Sequence, residues 1–105
     1  GPAPLVDAVA THDPESGQVT IFAVSRCVDQ PVTLTVDTRA FPRGLVPTQA
    51  TVLADPDVYA VNTADDPDRV RPRPNPAVTV DDTTVRLVLP PVSWNVLRLA
   101  PPPAD

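Results

Sequence analysis

Sixteen prolines in 105 residues decide what this chain cannot be. A proline inside a helix removes an N–H donor and drives its ring against the carbonyl four residues back, at a cost of about 3 kcal/mol or more. The longest proline-free runs are 15–30 and 77–89, and both carry apolar residues at alternate positions, Val19, Ile21 and Ala23 in the first and Val85, Leu87 and Leu89 in the second. Valine is stiff at χ1, which a helix penalises and a pleated sheet tolerates. With 18 Val, 8 Leu, 1 Ile and 2 Phe, the chain has apolar content for one core, and its length suits one domain. These features predict an all-β protein.

Period-two alternation places the strands. Leu5 to Thr11 and Gln18 to Ser25 flank His12-Asp13-Pro14-Glu15-Ser16-Gly17, whose Asp, Pro and Gly favour a turn, so the pair reads as a hairpin. Val32, Leu34 and Val36 alternate with Thr33, Thr35 and Asp37, giving a strand with one wet face. After a loop in which Phe41 and Leu45 are expected to plug one end, Thr48 to Leu53 is a fourth strand. Val78 and Val80 resume the pattern. Thr83 to Leu99 then reads as a closing hairpin, with Pro90-Pro91 at its corner. In its second arm Trp94 and Val96 share one face and Leu97 and Leu99 the other, a change of phase that a bulge or a two-sided strand would produce. Phe22 and Trp94, in apolar strands, are assigned to the core. The sum is an antiparallel β-sandwich, either immunoglobulin-like or jelly-roll-like.

Residues 54–76 break the rhythm. They form a long Pro/Asp-rich loop in which Asp66-Pro67 could start a short helix and Arg71 to Pro76 should be extended. A loop of this length in a compact domain is usually functional or docked.

The charge is −5, which argues against nucleic acid and anionic membranes as partners. Cys27 is the only cysteine, so no disulfide can form within the chain, and a buried thiol is expected. There is no apolar run of membrane-spanning length. Residues 1–4, which include Gly1-Pro2, read as a tag scar or linker, 5–100 as the sandwich, and 101–105 as a frayed tail.

Catalytic patterns are weak. The paired aspartates (Asp55 and Asp57; Asp65, Asp66 and Asp68; Asp81 and Asp82) lie in turns, and a calcium loop there would lack the spacing and terminal Glu of an EF-hand. His12, Asp13 and Ser16 are too close in sequence to face one another as a triad. No metal, cofactor or glycine-rich phosphate site is expected. With Phe22 and Trp94 assigned inside, only Tyr59 is left as an aromatic platform for a sugar. Arg69, Arg71 and Arg73 form a short basic stripe beside Asp65, Asp66 and Asp68.

Three stretches carry a resemblance. Leu5-Val6-Asp7-Ala8-Val9-Ala10-Thr11 with Val19 to Arg26, then Ala60 to Pro72 with its Asn-Thr-x-x-x-Pro-x-x-Val pattern, and finally Leu89-Pro90-Pro91-Val92-Ser93-Trp94-Asn95-Val96-Leu97-Arg98-Leu99 together resemble the C-terminal domain of family 51 glycoside hydrolases, the α-L-arabinofuranosidases. The resemblance implies a jelly-roll-like sandwich that follows a (β/α)8 barrel. The barrel carries the acid/base and nucleophilic glutamates and removes terminal arabinofuranosyl groups from arabinan and arabinoxylan with retention. Glu15, the only glutamate, lies in a turn and matches neither, so no catalytic residue transfers. The resemblance further implies an accessory domain that packs on its own barrel, parents that are commonly oligomers, and a sandwich that borrows a strand from the segment before the barrel. A cytoplasmic location is expected for the parent. The expected docking surface is the long loop, through Val58, Tyr59, Val61, Asn62, Arg69, Arg71 and Arg73. A carbohydrate-binding module and an immunoglobulin-like interaction domain are the alternatives.

Overall fold

The computed structural model describes residues 5–41, 44–54 and 71–103. Among them are eight strands: β1 Val6–His12, β2 Val19–Ser25, β3 Val32–Asp37, β4 Val46–Leu53, β5 Arg73–Pro74, β6 Val78–Asp81, β7 Thr84–Leu89 and β8 Ser93–Ala100. Five form one sheet in the order β1-β2-β8-β4-β5, three form a second in the order β3-β7-β6, and every pairing is antiparallel. The two sheets pack as a sandwich, as the alternation predicted.

The β1–β2 hairpin pairs Val6 with Ser25 through to His12 with Val19. Its loop closes locally. Asp13 accepts from the Glu15 amide and the Ser16 hydroxyl, each at 3.0 Å, and the Gly17 amide donates to the Asp13 carbonyl at 2.8 Å. Gly17 has φ +77, a conformation that side chains with a Cβ resist, and a Cβ there would lie 2.7 Å from Pro101 Cγ.

The expected closing hairpin is not one. β7 and β8 belong to different sheets. Pro90 and Pro91 have no N–H to extend the ladder, so the chain leaves the smaller sheet there and crosses to the larger. Val92, at φ 46, makes that corner with strained backbone, held by its amide donating to the Cys27 carbonyl at 2.9 Å. In an immunoglobulin fold the last two strands are neighbours in one sheet. Here β8 lies between β2 and β4, and β2, β3 and β4 alternate between the sheets, which is the jelly-roll manner of connection.

The core lies between the sheets. Val19, Ile21 and Ala23 of β2, Leu97 and Leu99 of β8, and Val85, Leu87 and Leu89 of β7 are buried, with Leu45 closing one end and Phe41 packed partly buried against them, as expected of that loop. The faces expected of β8 are the ones observed, Trp94 and Val96 on one and Leu97 and Leu99 on the other, and a two-sided strand accounts for them without a bulge against β2. The burial of β8 alternates strictly, with Ser93, Asn95, Leu97 and Leu99 inside. The register that buries Leu97 and Leu99 against β2 admits no slip, because a shift of one residue would turn every side chain over. The cost is a polar end to the core. There Asn95 Nδ2 donates to Ser93 Oγ at 2.9 Å and to the Ala23 carbonyl at 3.3 Å, and Ser93 Oγ donates to the Pro90 carbonyl at 2.8 Å.

Asn75 ties the sheets together. Its amide donates to the Ala50 carbonyl of β4, and its side chain donates to the Val88 carbonyl of β7, each at 2.9 Å. Cys27 is buried as expected, and its thiol donates to Asp29 Oδ1 at 3.2 Å. Because the larger sheet extends beyond the smaller, the inward side of β1 is bare at Ala8 and Ala10, which are exposed, while Val6 at its start packs against the core.

Candidate functional site

The same register that puts Leu97 and Leu99 inside puts Trp94 outside. Trp94 is 53% exposed and Phe22 is 50% exposed, which overturns their assignment to the core. In the ladder Phe22 faces Val96 and Val24 faces Trp94, while β4 brings Thr51 opposite Val96 and Leu53 opposite Trp94. Directly opposed side chains on one face are about 5 Å apart. Phe22, Val24, Leu53, Trp94 and Val96 therefore form one apolar surface on the outer side of the larger sheet. Val9, opposite Phe22 and 63% exposed, extends it onto β1.

This surface is a shallow depression of about 280 Å³, with Pro72 and Thr51 on its border. Its lining offers almost no hydrogen-bonding groups, so it suits a contact made by apolar burial. An aromatic side chain buries about 150–250 Å², so covering the exposed half of Trp94 alone would contribute roughly 2–3 kcal/mol. Charge lies at the rim. Arg26 pairs with Asp7, Arg98 follows Val96 on the same face of β8, and Arg71 adjoins Pro72 and is exposed, whereas Arg73, opposite Val52, falls on the other side of the sheet.

Of the residues expected to dock, Arg71 thus lies beside the depression, and Arg73, opposite Val52, lies on the inward side of the sheet. Val58, Tyr59, Val61, Asn62 and Arg69, and the Asp66-Pro67 helix start, lie outside the described residues. The apolar centre escaped the sequence reading because a tryptophan in a Val- and Leu-rich strand looks like core. The signal that finds it is parity: counted back by twos from Leu99, the inward positions are Leu97, Asn95 and Ser93, and Trp94 falls outside.

The other polar groups make local structure. Asp37 is held below its ordinary value of 3.8, chiefly by the Arg39 guanidinium that donates to it, and then by the Arg39 amide; Arg39 is raised in return. Asp13 is lowered by the Glu15 amide first and the Ser16 hydroxyl second. His12 sits at the end of β1 with its ring edge-on to Phe41, centroids 5.8 Å apart. Among the described residues, no group of three or more His, Cys, Asp or Glu is placed to hold a metal ion.

With this geometry in view, comparison with known proteins is specific. The family model for the alpha-L-arabinofuranosidase C-terminal domain matches residues 4–93. An exo-α-(1→6)-L-arabinofuranosidase of Bifidobacterium longum is 35% identical over 103 residues, covering 94% of this chain and 19% of that protein. An intracellular exo-α-(1→5)-L-arabinofuranosidase of the same organism is 33% identical over 99 residues, covering 90% and 18%. The chain thus spans about a fifth of the length of these relatives. Among solved structures, AbfB, a family 51 α-L-arabinofuranosidase from Bifidobacterium longum, superposes with a TM-score of 0.81 at 33% identity over 91% of this chain and 18% of that one. The GH51 arabinofuranosidase from Xanthomonas axonopodis pv. citri gives 0.81 at 26% identity over 92% and 19%. Strand order, sequence and superposition agree, and the chain belongs to the α-L-arabinofuranosidase C-terminal domain family.

Proposed function

We propose that this domain is the non-catalytic accessory part of a retaining α-L-arabinofuranosidase, and that it braces the barrel in which terminal α-L-arabinofuranosyl groups are hydrolysed. The observation that carries the reading is the family match across nearly the whole domain, joined to relatives five times longer whose names state that activity. Hydrolysis with retention needs two carboxyl groups about 5–5.5 Å apart, and the relatives' additional length is where such a pair would lie. The exposure of Ala8 and Ala10 on the inward side of β1 supports a sandwich completed by a strand from the rest of the chain.

The test compares the intact protein, the barrel without residues 5–103, and the domain alone on an aryl α-L-arabinofuranoside. The intact protein should release the aglycone and the domain alone should not. The barrel alone should lose its activity at a lower temperature than the intact protein. Equal heat resistance would end the bracing reading, and sedimentation of the same samples shows whether bracing extends to an oligomer.

A second reading has one observation in its favour: Phe22 and Trp94 are exposed on the outer side of the larger sheet, as the aromatic residues of a sugar-binding platform are. Against it, a sugar also needs hydrogen-bonding groups, which this lining lacks. Retardation of the domain in an arabinoxylan gel, abolished by Trp94→Ala, would establish it.

A further inference from the structure

We propose that the outer face of the larger sheet, centred on Phe22 and Trp94, is the surface on which the remainder of this protein's own chain docks, through an apolar contact edged by carboxylates. The inference rests on the reading of the chain as one domain of a longer enzyme.

Four observations select the face and its occupant. The outer side of the smaller sheet presents Thr33, Thr35, Asp37, Thr79, Asp81, Thr84, Arg86 and Val88, with one apolar residue among eight. The outer side of the larger sheet instead brings Val9, Phe22, Val24, Leu53, Trp94 and Val96 together. The relatives carry about four-fifths of their length outside the matched region, so an occupant exists in the same molecule. β1 starts beside this surface, with Asp7 opposite Val24 and Val24 opposite Trp94. In a C-terminal domain, the chain preceding Leu5 is therefore delivered to this end of the sheet. Finally, Arg71 and Arg98 stand at the border of this surface, next to an Arg26 that is already paired with Asp7. Two arginines there favour carboxylates on the margin of whatever covers it.

The experiment places the photo-cross-linker p-benzoylphenylalanine at position 94 of the intact protein, with position 35 on the smaller sheet as the comparison site. Illumination at position 94 should yield a product that migrates as a single chain and whose attached peptide comes from outside residues 1–105. Position 35 should yield none. Trp94→Lys should split the thermal transition of the intact protein into two, whereas Thr35→Lys should leave it single. Attachment to a second copy, attachment confined to residues 1–105, no attachment at all, or protection of position 94 by arabino-oligosaccharides would each overturn the inference. Turnover of an aryl arabinofuranoside is measured on the same preparation. Cross-linking without turnover would sink the enzyme reading and leave the docking face standing, and turnover without cross-linking would do the reverse.

Discussion

The two outer faces of this sandwich obey the same backbone rule and carry opposite chemistry. On the smaller sheet the outward positions are threonine, aspartate and arginine, as expected of a sheet wet on one side. On the larger sheet the outward positions of β2, β8 and β4 hold Phe22, Val24, Trp94, Val96 and Leu53. At that same end of the larger sheet the inward positions are Ser25, Ser93 and Asn95, all buried. The strand is thus polar toward the core and apolar toward the outside over its first residues, and conventional at Leu97 and Leu99. A patch of contiguous apolar surface is costly to leave in water and marks a contact. Over β2, β8 and β4 the larger sheet therefore presents apolar side chains on both of its sides.

The largest effects should come where the faces do not differ. If the two sheets share one core, Leu87→Ala in the smaller and Leu97→Ala in the larger should each lower stability by about 2–5 kcal/mol in urea unfolding of the domain. A much smaller loss for one of them would mean that the sheets do not contribute equally. Ser93→Ala probes the polar end, because it leaves the Pro90 carbonyl and Asn95 Nδ2 each short of a partner inside. A loss of about 1–3 kcal/mol is expected. Gly17→Ala should cost a comparable amount, since alanine resists φ +77 and its methyl would meet Pro101.

Smaller effects sharpen the contrast between the faces. In the isolated domain Trp94→Ser should change stability by no more than about 0.5 kcal/mol, the range of an ordinary surface change. A loss near that of Leu97→Ala would place Trp94 in the core after all. The smallest effect belongs to Asp37. Its carboxyl is depressed in the folded state, so the stability it contributes is present above its unfolded value near 3.8 and is lost as pH falls through the lower folded value. Asp37→Asn should therefore be slightly less stable than the parent at neutral pH, and the difference should shrink at pH below about 3.8. The exposed setting of the pair keeps that difference slight.

Much of this was legible in the residues. Prolines excluded long helices, valine alternation placed most strands, and Asp13 to Gly17 announced the first hairpin. Leu45 and Phe41 were found as the end plug because they are the large apolar residues of their loop. Asn75 was not found. Its role depends on β4 and β7 both lying within reach, and nothing in Pro74-Asn75-Pro76 states that. The Phe22 and Trp94 surface was missed for a related reason, since hydrophobicity was read as a reason to be inside.

What the chain's order of residues determines unaided is the alternation along each strand, because successive side chains of an extended backbone must point to opposite sides. It determines the turns as well, where Pro, Gly and Asp restrict φ locally. What only the tertiary structure decides is which side of β8 becomes the interior, and that β7 and β8 part company at Pro90-Pro91 instead of pairing. Both depend on β2 and β4 taking the ladder positions beside β8. Those hydrogen bonds join residues some seventy and forty-five positions apart, a separation across which no local preference acts.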